Sequence, residues 1–136
     1  MNLDDSAREV LAGLADIMIP AGDNMPSASQ ADVAGGGLDR VLTARPDLAE
    51  ALSAILDKAS GLDPAQVMAD LQTNDEAAFG VLAEIVPGAY FMNVTVRETI
   101  GYSGQGPQPI DPRPDYMEDG LLESVIRRGP IYRPTP

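Results

Sequence analysis

Seven of the twelve prolines fall in the last 36 residues, at 107, 109, 112, 114, 130, 134 and 136, and this distribution divides the chain. Proline removes a backbone donor and fixes φ near about −65°, so it interrupts helices and sheet ladders alike. Residues 1–101 are therefore free to build regular structure, whereas residues 102–136 are expected to run largely extended or polyproline-like. Charge divides the chain at the same place. Residues 1–100 hold sixteen acids and five bases, against five acids and four Arg in residues 101–136. Three of the four tyrosines also lie in that tail. At 136 residues the whole is the size of one ordinary domain.

The body is predicted to be helical throughout. Ser6-Ala7-Arg8-Glu9 fits a capping box, after which Val10, Leu11, Leu14, Ile17 and Met18 recur at three- and four-residue spacing until Pro20. Pro20 to Pro26 reads as a loop, and Ser27 or Ser29 is placed to cap a helix carrying Val33, Leu38, Val41 and Leu42. Gly35-Gly36-Gly37 inside it forfeits ~2–3 kcal/mol of helix propensity relative to three alanines. Either the helix is interrupted there or another backbone packs closely against it. Pro46 starts a further helix with Leu48, Leu52, Ile55 and Leu56, and Gly61 ends it. Asp63-Pro64-Ala65-Gln66 repeats the start signal for Val67, Met68 and Leu71. Asn74 or Asp75 opens the next helix, through Phe79, Leu82, Ile85 and Val86, which Pro87-Gly88 is expected either to end or to kink, with Ala89-Tyr90-Phe91-Met92 continuing it after the kink. Asn93 caps a short last helix, with Gly101 as its stop. One or two turns are expected around Gly120–Ile126. The fold class is all-α: a compact bundle of five or six short helices with a long extended Pro/Tyr-rich C-terminal tail.

Composition excludes much catalytic chemistry. With no His and no Cys, the chain forms no disulfide, Cys/His zinc site, His-ligated haem, Ser-His-Asp triad or Cys-His dyad. A net charge of −12 argues against nucleic acid. No apolar run approaches the roughly 18–20 residues of a membrane span, and no secretory or twin-arginine signal is visible. The adjacent carboxylates Asp4/Asp5, Asp75/Glu76 and Glu118/Asp119 could serve acid–base work, but among 21 acids such pairs arise readily at helix starts. Asp23-Asn24 lacks the rest of a calcium loop. The glycine run has neither the preceding strand nor the following Lys of a phosphate cradle. Lys58, the only lysine, suits a helix C-terminus.

Two features point outward. Ala89-Tyr90-Phe91-Met92 is either core or an interface hot spot, since Tyr and Phe bury large areas at low entropic cost. Arg127, Arg128 and Arg133 concentrate positive charge and serve either as solvated charges at a helix end or in bidentate pairing with the carboxylates of a partner, which the neighbouring Gly129, Pro130 and Tyr132 favour. Tyr102, Tyr116, Tyr132 and their apolar neighbours are too hydrophobic for a free linker, so the tail is expected to be ordered by lying on something.

Leu14-Ala15-Asp16-Ile17-Met18-Ile19-Pro20-Ala21-Gly22-Asp23, then Met25-Pro26-Ser27-Ala28, resembles the start of the gluconate 2-dehydrogenase subunit 3 family. Gly88-Ala89-Tyr90-Phe91-Met92-Asn93, Val96-Arg97 and Ile100-Gly101-Tyr102-Ser103-Gly104-Gln105 resemble its second half. The likeness spans most of residues 10–106. It implies a small, non-catalytic subunit bound to a large FAD-dependent dehydrogenase of the glucose–methanol–choline type. FAD and the catalytic groups would lie in that partner, acting on a sugar, sugar acid or related alcohol, with no cofactor or metal in this chain. Many members carry a twin-arginine signal, and this sequence departs from them there. A cytoplasmic complex is expected on that ground, or a periplasmic one if the partner supplies the signal or a signal was trimmed.

Together these readings give an acidic helical body, 1–101, and a tail, 102–136, that wraps a partner subunit in a hetero-oligomer. Tyr90, Phe91, Tyr102, Tyr116, Arg127, Arg128, Tyr132 and Arg133 are the expected contact residues. The alternative is a small carboxylate-based enzyme or ligand-binding helical domain acting alone. A third reading is a homo-oligomer whose tail wraps another copy.

Overall fold

Asp4 opens the first helix, α1 (Asp5–Met18), its carboxylate accepting from the Ala7 amide at 2.8 Å. The box expected at Ser6–Glu9 thus gives way to an N-cap two residues earlier. An ionised carboxylate there satisfies an orphan amide and also faces the positive end of the helix dipole, which a serine hydroxyl cannot do as well. The computed structural model describes residues 3–106 and 120–131.

A loop over 19–32 leads to one turn of π-helix (Val33–Gly37) that runs into α2 (Leu38–Ala44). A 3₁₀ turn at Pro46–Leu48 precedes α3 (Ala49–Ala59), followed by α4 (Pro64–Asn74), α5 (Glu76–Phe91) and α6 (Val94–Thr99). The expected Asp63, Asp75 and Asn93 caps are all present, each accepting from the amide three residues on. The described residues fall in two compact units, one ending at Gly104 and the other beginning at Gln105. The second contains α7 (Glu123–Arg128). No strand occurs among the described residues, and the fold is an all-α bundle.

The glycine run satisfies both expectations raised for it. Gly35 takes a non-helical conformation (φ −99°, ψ −120°) that breaks the helix, while Asp32, in the left-handed region, accepts from the Gly36 amide at 2.9 Å. Two residues on, a Cβ at Gly37 would lie 3.1 Å from the Ala89 Cβ, so α5 packs directly on this backbone. Arg8 of α1 closes the turn by donating to the carbonyls of Ala34 (2.7 Å) and Gly35 (3.2 Å) and pairing with Asp39.

Helix α5 is the axis of the body, touching α1, α2, α3, α4, α6 and the π-turn. Leu82, Ile85, Val86 and Ala89 are fully buried against Leu11 and Leu14 of α1, Val33, Leu38, and Leu52 and Leu56 of α3 within one core. The helix runs through Pro87 to Phe91 without ending. Pro87 lacks the amide that would bond the Ala83 carbonyl, but Ala83 is an exposed residue, and the buried side chains on both sides of Pro87 hold the segment helical.

Candidate interaction surface

The end of α5 and the 19–32 loop, far apart in sequence, meet in space. Tyr90, at the end of α5, donates its hydroxyl to the Pro26 carbonyl at 2.7 Å, across 64 residues of sequence. Asn93 does the same a turn later, its amide donating to the Ala31 carbonyl at 2.9 Å while its oxygen caps α6 through the Val96 amide. The 19–32 loop is held from the other side by Asp16, which accepts from the Ser29 amide (2.8 Å) and hydroxyl (2.6 Å). Burial pushes the Asp16 carboxyl up, but the Ser29 and Ser27 donors together outweigh it and hold the group below its ordinary value. Asp23 and Asn24, in the left-handed region, form the tip of a tight turn closed by reciprocal Gly22–Met25 hydrogen bonds. These motif residues build a structural clasp.

From the same stretch, other side chains face outward. Tyr90 is 3% exposed and belongs to the core, which removes it from the expected contact residues; burial pushes its hydroxyl pKa up. Phe91, edge-on to it with ring centroids 5.4 Å apart, is 51% exposed. Met92, Val94, Ile100 and Tyr102 are exposed as well, whereas Val96 is buried. The end of α6 is rigidly shaped. The Tyr102 amide donates to the Arg97 carbonyl (2.8 Å) and the Gly101 amide to Glu98 (3.0 Å), with Gly101 at φ +73°. This Schellman closure requires a residue that tolerates positive φ at position 101, and it fixes where Tyr102 stands relative to α6.

Arg97 was not singled out as a contact residue from the sequence. Its Nε is buried and has no hydrogen-bond partner. The signal that could have marked it is its position: it and Glu98 are the only charged residues between Ile85 and Tyr102.

In the second unit, α7 buries none of its residues. Leu121, Val125, Ile126 and Ile131 are exposed, Arg127 pairs with Glu123 one turn back at 2.6 Å, and Arg128 is exposed. Tyr116, Tyr132 and Arg133 lie outside the described residues, as does Glu118/Asp119.

Asp4 and Asp75 are N-caps. Lys58 stands in the last turn of α3, at the edge of a cleft of about 340 Å³ between α3, α4 and the start of α5, lined mainly by Ile55, Leu62, Val67 and Leu71 with Asp70 and Asp75. Asp16 and Asp47, whose carboxyls are held low, do not line it. Among the described residues no group of three acids is arranged to hold a metal ion, and no helix is long and apolar enough to cross a membrane. Compared with protein-family models, with curated proteins and with solved structures, the chain gives no match in any of the three.

Proposed function

We propose that this chain is a non-catalytic accessory subunit that binds and stabilises a large FAD-dependent dehydrogenase of the glucose–methanol–choline type. The partner would hold the flavin and oxidise a sugar, sugar acid or related alcohol. The identity of the partner comes from the family likeness of the two motifs; the observation that carries the binding role is where the apolar surface lies. Phe91, Met92, Val94, Ile100 and Tyr102 are exposed within one short stretch of the body, and Leu121, Val125, Ile126 and Ile131 within the second unit. Scattered single apolar residues are ordinary on a monomer, whereas concentrations of this kind mark surfaces meant to be covered. The clasp also supports the reading, since Asp16, Tyr90 and Asn93 hydrogen-bond within the chain and hold the backbone that carries this surface.

Affinity purification from the native source, with an absorbance spectrum and mass spectrometry of the eluate, tests the proposal. A yellow, near-stoichiometric complex with a larger flavoprotein that oxidises sugars or alcohols is the expected result. A colourless eluate containing this chain alone would reject it.

A further inference from the structure

Position 97 lies three residues from Val94 and three from Ile100, so Arg97 stands on the α6 stripe that carries those exposed apolar side chains. Of the other body arginines, Arg8 pairs with Asp39 and Arg45 with Asp47 and Glu84, while Arg40 has no acid partner among the described residues. Residues 1–100 offer sixteen acids. Yet among the described residues none pairs with Arg97, and its buried Nε bonds to nothing. An unmet buried donor is costly, and native structures tolerate few of them.

We propose that Arg97 is the specificity anchor of this surface, receiving an Asp or Glu carboxylate that the partner presents within an otherwise apolar segment. The inference rests on the accessory-subunit reading and names the chemistry of the contact. Guanidinium offers Nε and a terminal nitrogen as a fork that matches the two oxygens of a carboxylate. Arg97 is only partly buried, and receiving the carboxylate requires a change in its side-chain torsions that carries that edge to the surface. Phe91, Val94, Ile100 and Tyr102 then exclude water around the ion pair, the arrangement in which a single Arg dominates an interface. A second copy of this chain is the wrong occupant, because each copy brings a net charge of −12 and the two repel.

Lys58 is the only lysine, which permits a clean test. Arg97→Lys places a second side-chain amine on the chain, and a zero-length carbodiimide couples an amine only to a carboxylate in contact with it. The variant and wild type are purified as tagged full chains from the native source, coupled, digested and mapped by mass spectrometry. The expected result is a linkage from position 97 to an Asp or Glu of the flavoprotein, with Arg97→Ala weakening the complex by at least about tenfold and both variants melting as the wild-type chain does. A yellow complex with position 97 uncoupled and Arg97→Ala binding normally would overturn the anchor and leave the accessory-subunit reading standing. Coupling to a carboxylate of a larger protein without flavin would keep the anchor and reject the flavoprotein. Coupling to another copy of this chain, or no larger protein at all, would overturn both.

Discussion

Helices α5 and α7 both carry apolar residues, and these meet opposite fates. In α5, Leu82, Ile85, Val86, Ala89 and Tyr90 are buried, because every other helix of the body packs against it. In α7 nothing is buried, and six residues are far too few to be stable as an isolated helix. The first helix converts its side chains into the stability of the chain. The second can only gain from its Val125 and Ile126 once something covers them. Residues 89–102 combine both cases, with Ala89, Tyr90 and Val96 facing in and Phe91, Met92, Val94, Ile100 and Tyr102 facing out. Folding and the proposed recognition are thus divided between neighbouring side chains, and substitutions can separate them.

The largest contrast is expected between Leu82→Ala and Ile126→Ala. Leu82 is fully buried, and truncating it should cost about 3–4 kcal/mol of chain stability, through lost transfer energy and the cavity left behind. Ile126 is 65% exposed, so the same truncation should change the stability of the isolated chain by less than about 0.5 kcal/mol while weakening partner retention. Urea denaturation of the two variants measures this, and equal losses would break the division. Next in size is Gly37→Val, expected to cost about 2–3 kcal/mol, because a side chain there meets Ala89 and the Asp32 carbonyl at 3.0–3.1 Å. Gly80→Ala is the control: the added methyl meets nothing within 4 Å, and a helix-interior alanine should stabilise α5 by up to about 1 kcal/mol.

Most of the body was legible in the sequence, because its helices carry their own punctuation. Asp63, Asp75 and Asn93 cap, Pro64 sits in a first turn, and Gly61 and Gly101 take positive φ. Three features were decided by contacts that local patterns do not encode. Pro87 passes through α5 because buried residues on both sides hold the helix. The glycine run becomes a π-turn because α5 and Arg8 occupy the space beside it. Tyr90 turns inward because Pro26, 64 residues away, supplies an acceptor. Of the surface, Phe91 and Tyr102 were identifiable as large apolar residues near polar turns, and Arg127 and Arg128 as clustered charge. Arg97 looked ordinary, because an unpaired Nε is a property of the folded surroundings alone.

Tyr90→Phe and Phe91→Ala should invert each other. Removing the Tyr90 hydroxyl leaves the Pro26 carbonyl without its donor and should cost about 1–2 kcal/mol, with partner retention unchanged in whatever remains folded. Phe91→Ala should hardly alter the melting temperature and should weaken the complex. The tyrosine also gives the chain an alkaline signature. Burial raises its folded pKa above the ordinary 10.0, so the stability it contributes is fully present below that value and lost as pH rises through the folded pKa. Wild type should therefore lose stability above pH 10 more steeply than Tyr90→Phe, as read by melting temperature against pH.

The smallest effect sharpens the comparison at the clasp. Asp16 is held below its ordinary 3.8: its partial burial works against that, and the hydroxyl and amide of Ser29 and the hydroxyl of Ser27 overcome it. A folded value below the unfolded one means that the contribution is present above about 3.8 and disappears as pH falls through the folded pKa. Because the group is partly solvated, its two hydrogen bonds to Ser29 should be worth no more than about 1 kcal/mol at neutral pH. Asp16→Ala should remove that amount and flatten the acid limb of the stability profile, and Ser29→Ala should flatten it in part by leaving the backbone amide of residue 29 and the Ser27 hydroxyl as donors. The surface should respond in the same order. Asp16 positions the 19–32 loop and the loop positions Pro26 beneath Tyr90, so loosening Asp16 acts on Phe91 only through two hydrogen bonds in series. Partner affinity should consequently fall far less in Asp16→Ala than in Phe91→Ala. If the two fell equally, the clasp itself would be part of the contact surface, and the separation between the residues that fold this chain and those proposed to bind a partner would fail at that point.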